Sequence, residues 1–310
     1  MQPVEQHIIH KGDARYEAID QAAFASKNLY NLANYHMRQS FIHTGKYMEY
    51  AEVYHLVKQN VKQVRLVPRH GHYVVEVVYE QEGKQAQVNP DLIAGIDIGL
   101  NNLAMLTSNK PGFTPLLVNG RPLKSINQYY NKRKADLQAK LGTTGTTNRM
   151  ERLTNKRTRK INHYLHTHSH RIIEHLVEEG IGTLVIGKNA NWKQEAHMGK
   201  RTNQQFVQIP HARFIDMLTY KAELVGIRAI LQEESHTSKC SFLDNEPICH
   251  QEQYMGKRVK RGLFRSALGR RINADVNGSY NIIRKAIPHS FSGRQGIEGV
   301  AVRPVGTPTY

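Results

Sequence analysis

Apolar positions along the chain change their period several times, and each change predicts an element. A short strand-like segment at His7–Ile9 is followed by apolar residues at helical spacing: Ala18, Ala22, Ala23, Leu29, Leu32 and Ala33, then Tyr50, Val53, Tyr54 and Leu56. Helices are therefore predicted over about 15–60. VKQVRLVPRHGHYVVEVVYE holds two β-rich runs joined by Arg69-His70-Gly71-His72, which predicts a hairpin over 61–80. Glu80 to Leu92 is acidic and contains Pro90, the composition of a linker into a second domain.

That domain opens with LIAGIDIGLNNLAML, a buried β run that turns at Gly99 and resumes as a second strand. With a third strand at Pro115–Val118, this predicts an antiparallel meander. From Leu123 to Gly180 the period is helical, broken by LGTTGTTN, so two long helices are predicted. GTLVIG reads as a strand, 205–225 as a helix, IRAILQEE as a strand and INADVNGSYNIIRKAI as a last helix, before a Gly/Pro-rich tail. The resulting order, β-β-β-α-β-α-β-α with one insertion before the last helix, is that of an RNase H-like α/β fold.

Composition adds a partner. Across 310 residues, 43 Lys+Arg stand against 26 Asp+Glu, a formal net charge of +17 and a pI near 9.8. Such a chain favours polyanions through phosphate neutralisation, with nucleic acid first and an anionic membrane second. No apolar run of membrane-spanning length and no clear basic amphipathic helix is present, so no membrane partner is expected. The N-terminus has no secretory pattern, and Cys240 and Cys249 are too few for a disulfide framework, which suits the cytoplasm.

Several acids could carry chemistry. Asp97 ends the first strand of the second domain between Ile96 and Ile98, where a carboxylate is costly to bury unless it meets a cation; a turn-capping role before Gly99 is the plain alternative. Asp275 opens the last helix, where an acid also suits the helix dipole. In this element order the first strand and last helix are neighbours, so the two carboxylates converge, as two-metal phosphodiester hydrolysis requires. Hard oxygen ligands suit two Mg2+ ions, with Mn2+ as a substitute. The third acid follows IRAILQ: alternation lets only one of Glu233 and Glu234 point inward, and Glu234 is favoured. In GTLVIGKN the strand closes at Gly187, where many such folds carry an acid.

Twelve Lys/Arg lie between Arg121 and Lys160 and seven between Lys257 and Arg271. Lys132, Arg133, Lys134, Arg152, Lys156, Arg157, Arg159, Lys160, Lys257, Arg258, Lys260 and Arg261 are the residues expected to track a nucleic-acid backbone; a solvated helix face is the ordinary alternative for such runs. Tyr129, Tyr130, Trp192 and Phe206 could stack on bases, although core packing is the usual role of any one of them. His163, His166 and His170 share a helical face, but no local cysteine or carboxylate completes a zinc site.

GIDIGLNNLA, the long basic helical pair, LVIGKNANWKQ, IPHARFIDMLTYKAELVGI, EESHTSKCSF and INADVNGSYNIIRKA together resemble, in order, the TnpB (OrfB) family. These are insertion-sequence-encoded RNA-guided nucleases related to type V CRISPR effectors, and the resemblance runs from about Val61 to Pro288. It implies a RuvC-type nuclease domain over 91–288 with a degenerate zinc-ribbon-like insert at about 237–272, and a tail at 289–310. It also implies a 1–90 wedge and recognition region, small, β-barrel-like and helical, that holds a guide duplex. The implied activity is Mg2+-dependent DNA cleavage by Asp97, Glu234 and Asp275, with a guide RNA derived from the transposon end and target DNA as partners. Three departures stand out. Gly187 replaces the family's usual second acid, which ESYTSK-like segments supply in a sub-branch, pointing again to Glu234. The CxxC pairs of the family's zinc ribbon are absent, so no structural zinc is expected. The stretch before Val61 is short, which leaves a nuclease-silent or decayed RNA/DNA-binding protein as an alternative, beside a DNA transposase.

Overall fold

A computed structural model of the chain describes residues 4–46, 48, 49, 52, 64–69, 72–78, 83–188, 204, 206–292 and 300–307. The chain divides into two compact units, Met1–Glu82 and Gly83–Tyr310.

In the first unit, β1 (Val4–His10), β2 (Val64–Arg69) and β3 (His72–Val78) form an antiparallel sheet in the order β1-β3-β2. The predicted hairpin is β2–β3, with Arg69 opposite His72. Helix α1 (Tyr16–Thr44) ends where Gly45 adopts a left-handed φ of 69° and its N–H closes on Phe41 O at 2.8 Å. The helical positions expected at Tyr50, Val53, Tyr54 and Leu56 lie outside the described residues. The sheet described is three-stranded and open, and no barrel is formed among the described residues.

The second unit is a mixed α/β layer structure. Its six-stranded sheet runs β12 (Val305–Gly306), β6 (Leu116–Asn119), β5 (Asn102–Ser108), β4 (Asn89–Ile98), β7 (Ile181–Gly187), β8 (Arg228–Gln232). The β4–β5–β6 meander is antiparallel, while β7 and β8 run parallel to β4. Between these strands lie α2 (Arg121–Leu141), α3 (Asn148–Glu178) and α4 (His211–Leu224). A small antiparallel sheet, β9 (Lys257–Lys260), β10 (Leu263–Arg265) and β11 (Arg271–Asn273), leads into α5 (Ala274–Ala286). Within the helix predicted over 205–225, residues 206 and 207 are helical, the helix breaks at Pro210, and helix α4 starts after it, because proline suits a helix start better than its interior.

Side-chain alternation sorts the central strands onto two cores. Ala94, Ile96 and Ile98 of β4 and Leu184 and Ile186 of β7 pack with Leu165, Ile172, Phe214 and Leu218 of the helices on one face. Ile93, Met105 and Val185 pack on the other face with Tyr280, Ile282 and Ile283 of α5. Gly95 lies on this second face, and a β-carbon there would stand 2.7 Å from Ser279 O, so the glycine lets α5 settle directly on β4. The Ser279 hydroxyl bonds Gly95 O at 2.8 Å and Met105 O at 3.1 Å. By the same alternation Asp97 and Gly187 face α5.

Part of the expected tail is structural. Residues 300–307 return to the sheet, where Val305 N–H reaches Pro115 O at 2.8 Å and β12 pairs in parallel with β6. The strand covers backbone groups that an edge strand would otherwise present unpaired. Asn273 N–H also donates to Val302 O at 3.0 Å, tying the returning segment to the start of α5.

Candidate active site

Asn273 caps α5: its Oδ1 accepts from Asp275 N at 2.9 Å and Val276 N at 3.2 Å. This fixes Asp275 in the first turn, with its side chain toward the end of β4. One turn later comes Gly278, where a β-carbon would lie 3.0 Å from Asp97 Oδ2, so the Asp97 carboxylate rests against the bare helix backbone. At the end of β7, a β-carbon on Gly187 would stand 2.5 Å from Glu234 Oε2 and 2.6 Å from Ile282 Cδ1. The Glu234 carboxylate therefore occupies the space that any side chain at 187 would need.

Electrostatics report the same convergence. Burial pushes the Asp97 carboxyl well above the usual carboxylate range, and the charges of Glu234 and Asp275 push it further, with Arg258 opposing. Glu234 is pushed up to about 7, first by burial and then by Glu233, with Lys285 opposing. Asp275 is held by Asn102, whose Nδ2 donates to Oδ2 at 2.6 Å, and by Arg258, whose Nη2 stands 3.3 Å from Oδ1. Glu233 faces away: Lys285 and Ser235 hold its carboxylate and lower it to about 2. The loop after Asp97 is itself pinned, by Gly120 N–H to Asn101 O at 2.7 Å, Lys124 Nζ to Asn101 Oδ1 at 2.8 Å, and His211 Nε2 at 3.3 Å from Gly99 O.

Three carboxylates offer hard oxygen donors of the kind Mg2+ takes, so the donor chemistry fits divalent cations. Among the described residues, however, no three His, Cys, Asp or Glu side chains stand close enough to hold an ion as they are. Mutual repulsion and the claim of Arg258 on Asp275 both act against closer approach.

The predicted backbone-tracking residues sit on three elements. Lys132, Arg133 and Lys134 lie on α2; Arg152, Lys156, Arg157, Arg159 and Lys160 on α3; Lys257, Arg258 and Lys260 on β9, with Arg261 in its turn. Most are exposed, but Arg157 turns inward, donating from Nε to Asn127 Oδ1 at 2.7 Å and from Nη2 to Gln208 O at 3.1 Å beneath the Tyr130 ring. Of the stacking candidates, Tyr129 is exposed, Tyr130 is partly covered, Phe206 is buried against His211, and Trp192 lies outside the described residues. His163, His166 and His170 lie exposed on α3, and His170 is 3.0 Å from Glu174.

The insert is organised by α5. Asn277 donates to Cys240 O and accepts from Phe242 N–H, Asn281 donates to Thr237 O and Cys240 O, and Arg284 binds Asn245, Asn281 and Glu246 O. Cys240 is buried and Cys249 exposed. Sequence reasoning missed Asn102, Gly278 and Lys285; the spacing of Gly278 three residues after Asp275 was the available signal for one of them.

Residues 75–193 match the OrfB_IS605 family, described as probable transposase, and residues 211–282 match the Cas12f1-like TNB domain. The chain is similar to the TnpB-like protein ORF457 of Acidianus two-tailed virus, 26% identical over 243 residues, which is 70% of this chain and 50% of that relative. It thus spans about half the length of that relative. Among solved structures it overlaps a Cas12f1-sgRNA-target DNA complex (TM-score 0.49, 17% identity, 71% of this chain and 55% of that one). It also overlaps a CRISPR-Cas12f ternary complex (TM-score 0.47, 16% identity, 71% and 44%). No helix among the described residues is long and apolar enough to cross a membrane. The two family matches, in order along the chain, and the viral TnpB-like relative make the chain similar to the TnpB (OrfB) family over those segments.

Proposed function

We propose that this chain is an RNA-guided DNA endonuclease of a transposable element, built on an RNase H-like (RuvC-type) core over 91–288. The observation that carries this reading is the placement of Asp97 against Gly278 and of Glu234 over Gly187, both on the α5 side of the sheet, with Asp275 in the first turn of that helix. The sheet order β6-β5-β4-β7-β8, with only β5 antiparallel to its neighbours, supports the fold assignment.

In this reading Asp97, Glu234 and Asp275 hold two divalent metal ions, Mg2+ or Mn2+. The bound ions would activate water and stabilise the leaving oxygen of the phosphodiester. The protein's own part is to keep three acids together at a cost in repulsion that a cation relieves. Asn102 fixes one Asp275 oxygen and leaves the other to Arg258, which is well placed to exchange its carboxylate for a phosphate. The exposed cations of α2, α3 and β9 grip backbone phosphates, and a guide RNA from the transposon end reads the target DNA. The region 1–90 serves recognition of the guide and target.

Purification from cells carrying the native flanking DNA, followed by sequencing of bound nucleic acid, tests the reading. A discrete RNA from the element's end, with Mg2+-dependent cleavage that Asp97→Ala abolishes, is the expected result. Specific binding to element ends without RNA would favour a strand-transferring transposase instead, and cleavage that survives Asp97→Ala would overturn the acid assignment.

A further inference from the structure

Glu234 sits in a turn that α5 contacts on both sides, through Lys285 and Asn281. Lys285, ten residues after Asp275 on the same helix, places Nζ 2.6 Å from Glu233 Oε2, 3.0 Å from Ser235 O and 3.0 Å from Ser235 Oγ. These acceptors belong to the residues immediately before and after Glu234. The grip is closed by Ser235, whose N–H and hydroxyl donate to the two Glu233 oxygens at 2.8 and 2.7 Å. On the far side, Thr237 returns its N–H and hydroxyl to Glu234 O, and Asn281 of α5 holds Thr237 O at 2.8 Å. The Lys285 side chain is only 20% exposed, so its three contacts are not those of a freely moving surface cation.

Strand alternation alone leaves open which of two consecutive glutamates points inward. Lys285 selects by charge: it offers one carboxylate a partner outside the pocket and leaves the other to turn over Gly187. We propose that Lys285 is a positioning residue for Glu234, so that one rigid helix both carries Asp275 and sets the third acid against it. This rests on the reading of Asp97, Glu234 and Asp275 as a metal-holding set.

The test is Mn2+ binding by calorimetry on the full-length protein, for wild type, Lys285→Ala, Lys285→Arg, Ser235→Ala and Glu234→Gln, with folding checked by circular dichroism and thermal melting. Lys285→Ala is expected to weaken Mn2+ binding about tenfold with little change in melting temperature, since a partly exposed ion pair adds little to stability. Lys285→Arg, which keeps the charge and several donors, should recover most of the affinity, and Ser235→Ala should fall between. In cleavage, kcat should fall while the KM for target DNA stays put. If Glu234→Gln loses Mn2+ affinity but Lys285→Ala does not, the positioning role is wrong and the acid set stands. If Glu234→Gln binds Mn2+ as wild type does, the acid set is wrong and the inference goes with it. A Lys285→Ala protein that melts early would leave Ser235→Ala to decide: unaltered binding there would overturn the proposal.

Discussion

Two acids beside α5, Glu246 buried and Asp97 half-buried, are treated in opposite ways. Glu246, in the insert, is 1% exposed and fully engaged: Ser241 N–H and Met255 N–H donate to its two oxygens at 2.6 and 2.9 Å, beside the Arg284 guanidinium. Asp97, across the helix, feels the like charges of Glu234 and Asp275, with Arg258 as its opposing charge. A buried acid with donors is part of the architecture, since removing it would leave those donors stranded. A buried acid among other acids weakens the fold and is retained where a cation or a reaction needs it. Helix α5 separates the two kinds, with Asp275 and Gly278 toward one and Asn277, Asn281 and Arg284 toward the other.

Removing each acid is the sharpest way to break the comparison. Asp97→Asn should reduce metal-dependent cleavage on the order of 10³-fold or more, given the several kcal/mol that metal ions supply to such a transition state. The metal-free protein should melt at the same temperature or higher, because a repulsive charge has gone. Glu246→Ala should do the reverse to stability, with a cost of about 1–3 kcal/mol for each of two N–H groups left without an acceptor. Thermal melts of both variants in the same buffer decide the matter: equal destabilisation would show that the acids do not differ in kind.

The strands β4 to β8 and the long helices of the second unit were legible because each has a strong period and a clear stop, as in GIDIG and LGTTGTTN, whereas β9, β10 and β11, three or four residues each, read only as an insertion. Asp97, Asp275 and the pair Glu233/Glu234 were visible for the same reason: strand ends and helix starts are local features. What the sequence could not show was contact between distant segments. Gly187 read as a missing acid, whereas its lack of a side chain is what admits Glu234. Asn102 lies 173 positions from Asp275, and nothing in GLNNLA announces that bond. The strand at 305–306 was not predicted within the Gly/Pro-rich tail because two-residue strands carry no periodicity, and the edge of β6 gives it a place. Arg157 looked like its neighbours because a helical charge run does not say which member faces inward.

Gly187 supplies the next test, with an effect of intermediate size. A β-carbon at 187 would meet Glu234 Oε2 and Ile282 Cδ1 well inside contact distance. Gly187→Ala should therefore displace the Glu234 carboxylate and lower Mn2+ affinity and cleavage by about one to two orders of magnitude, as expected when a metal-holding group shifts by about 1 Å. Wild-type affinity in Gly187→Ala would show that Glu234 does not depend on this space. The pH response of the metal-free protein is a gentler probe of the same crowding. The Glu234 pKa is raised to about 7 in the folded chain against an ordinary 4.5, so the folded state binds the extra proton. Stability from this group is full below about 4.5 and is lost as pH rises through about 7. Melting temperatures in EDTA should fall between pH 5 and pH 8, and Glu234→Gln should flatten that fall; a parallel curve would mean that Glu234 keeps an ordinary pKa.

The smallest expected effects carry the comparison onto α3, where inward and outward cations stand side by side. Arg152, Lys156, Arg159 and Lys160 fall at helical spacing on the exposed face, opposite the buried Ile161, Leu165 and Ile172. If they neutralise phosphates, each replacement by alanine releases one fewer counterion. The slope of log affinity against log salt should fall by about 1 per residue, with similar loss for every DNA or RNA sequence. Their melting temperatures should not change. Arg157 donates to Asn127 and Gln208 instead, so Arg157→Ala should lower stability and leave the salt slope unaltered. Measuring both quantities on the same five variants separates the roles without any assumption about guide or target. A salt slope that drops for Arg157→Ala but not for Lys156→Ala would mean that α3 presents its other side to the nucleic acid.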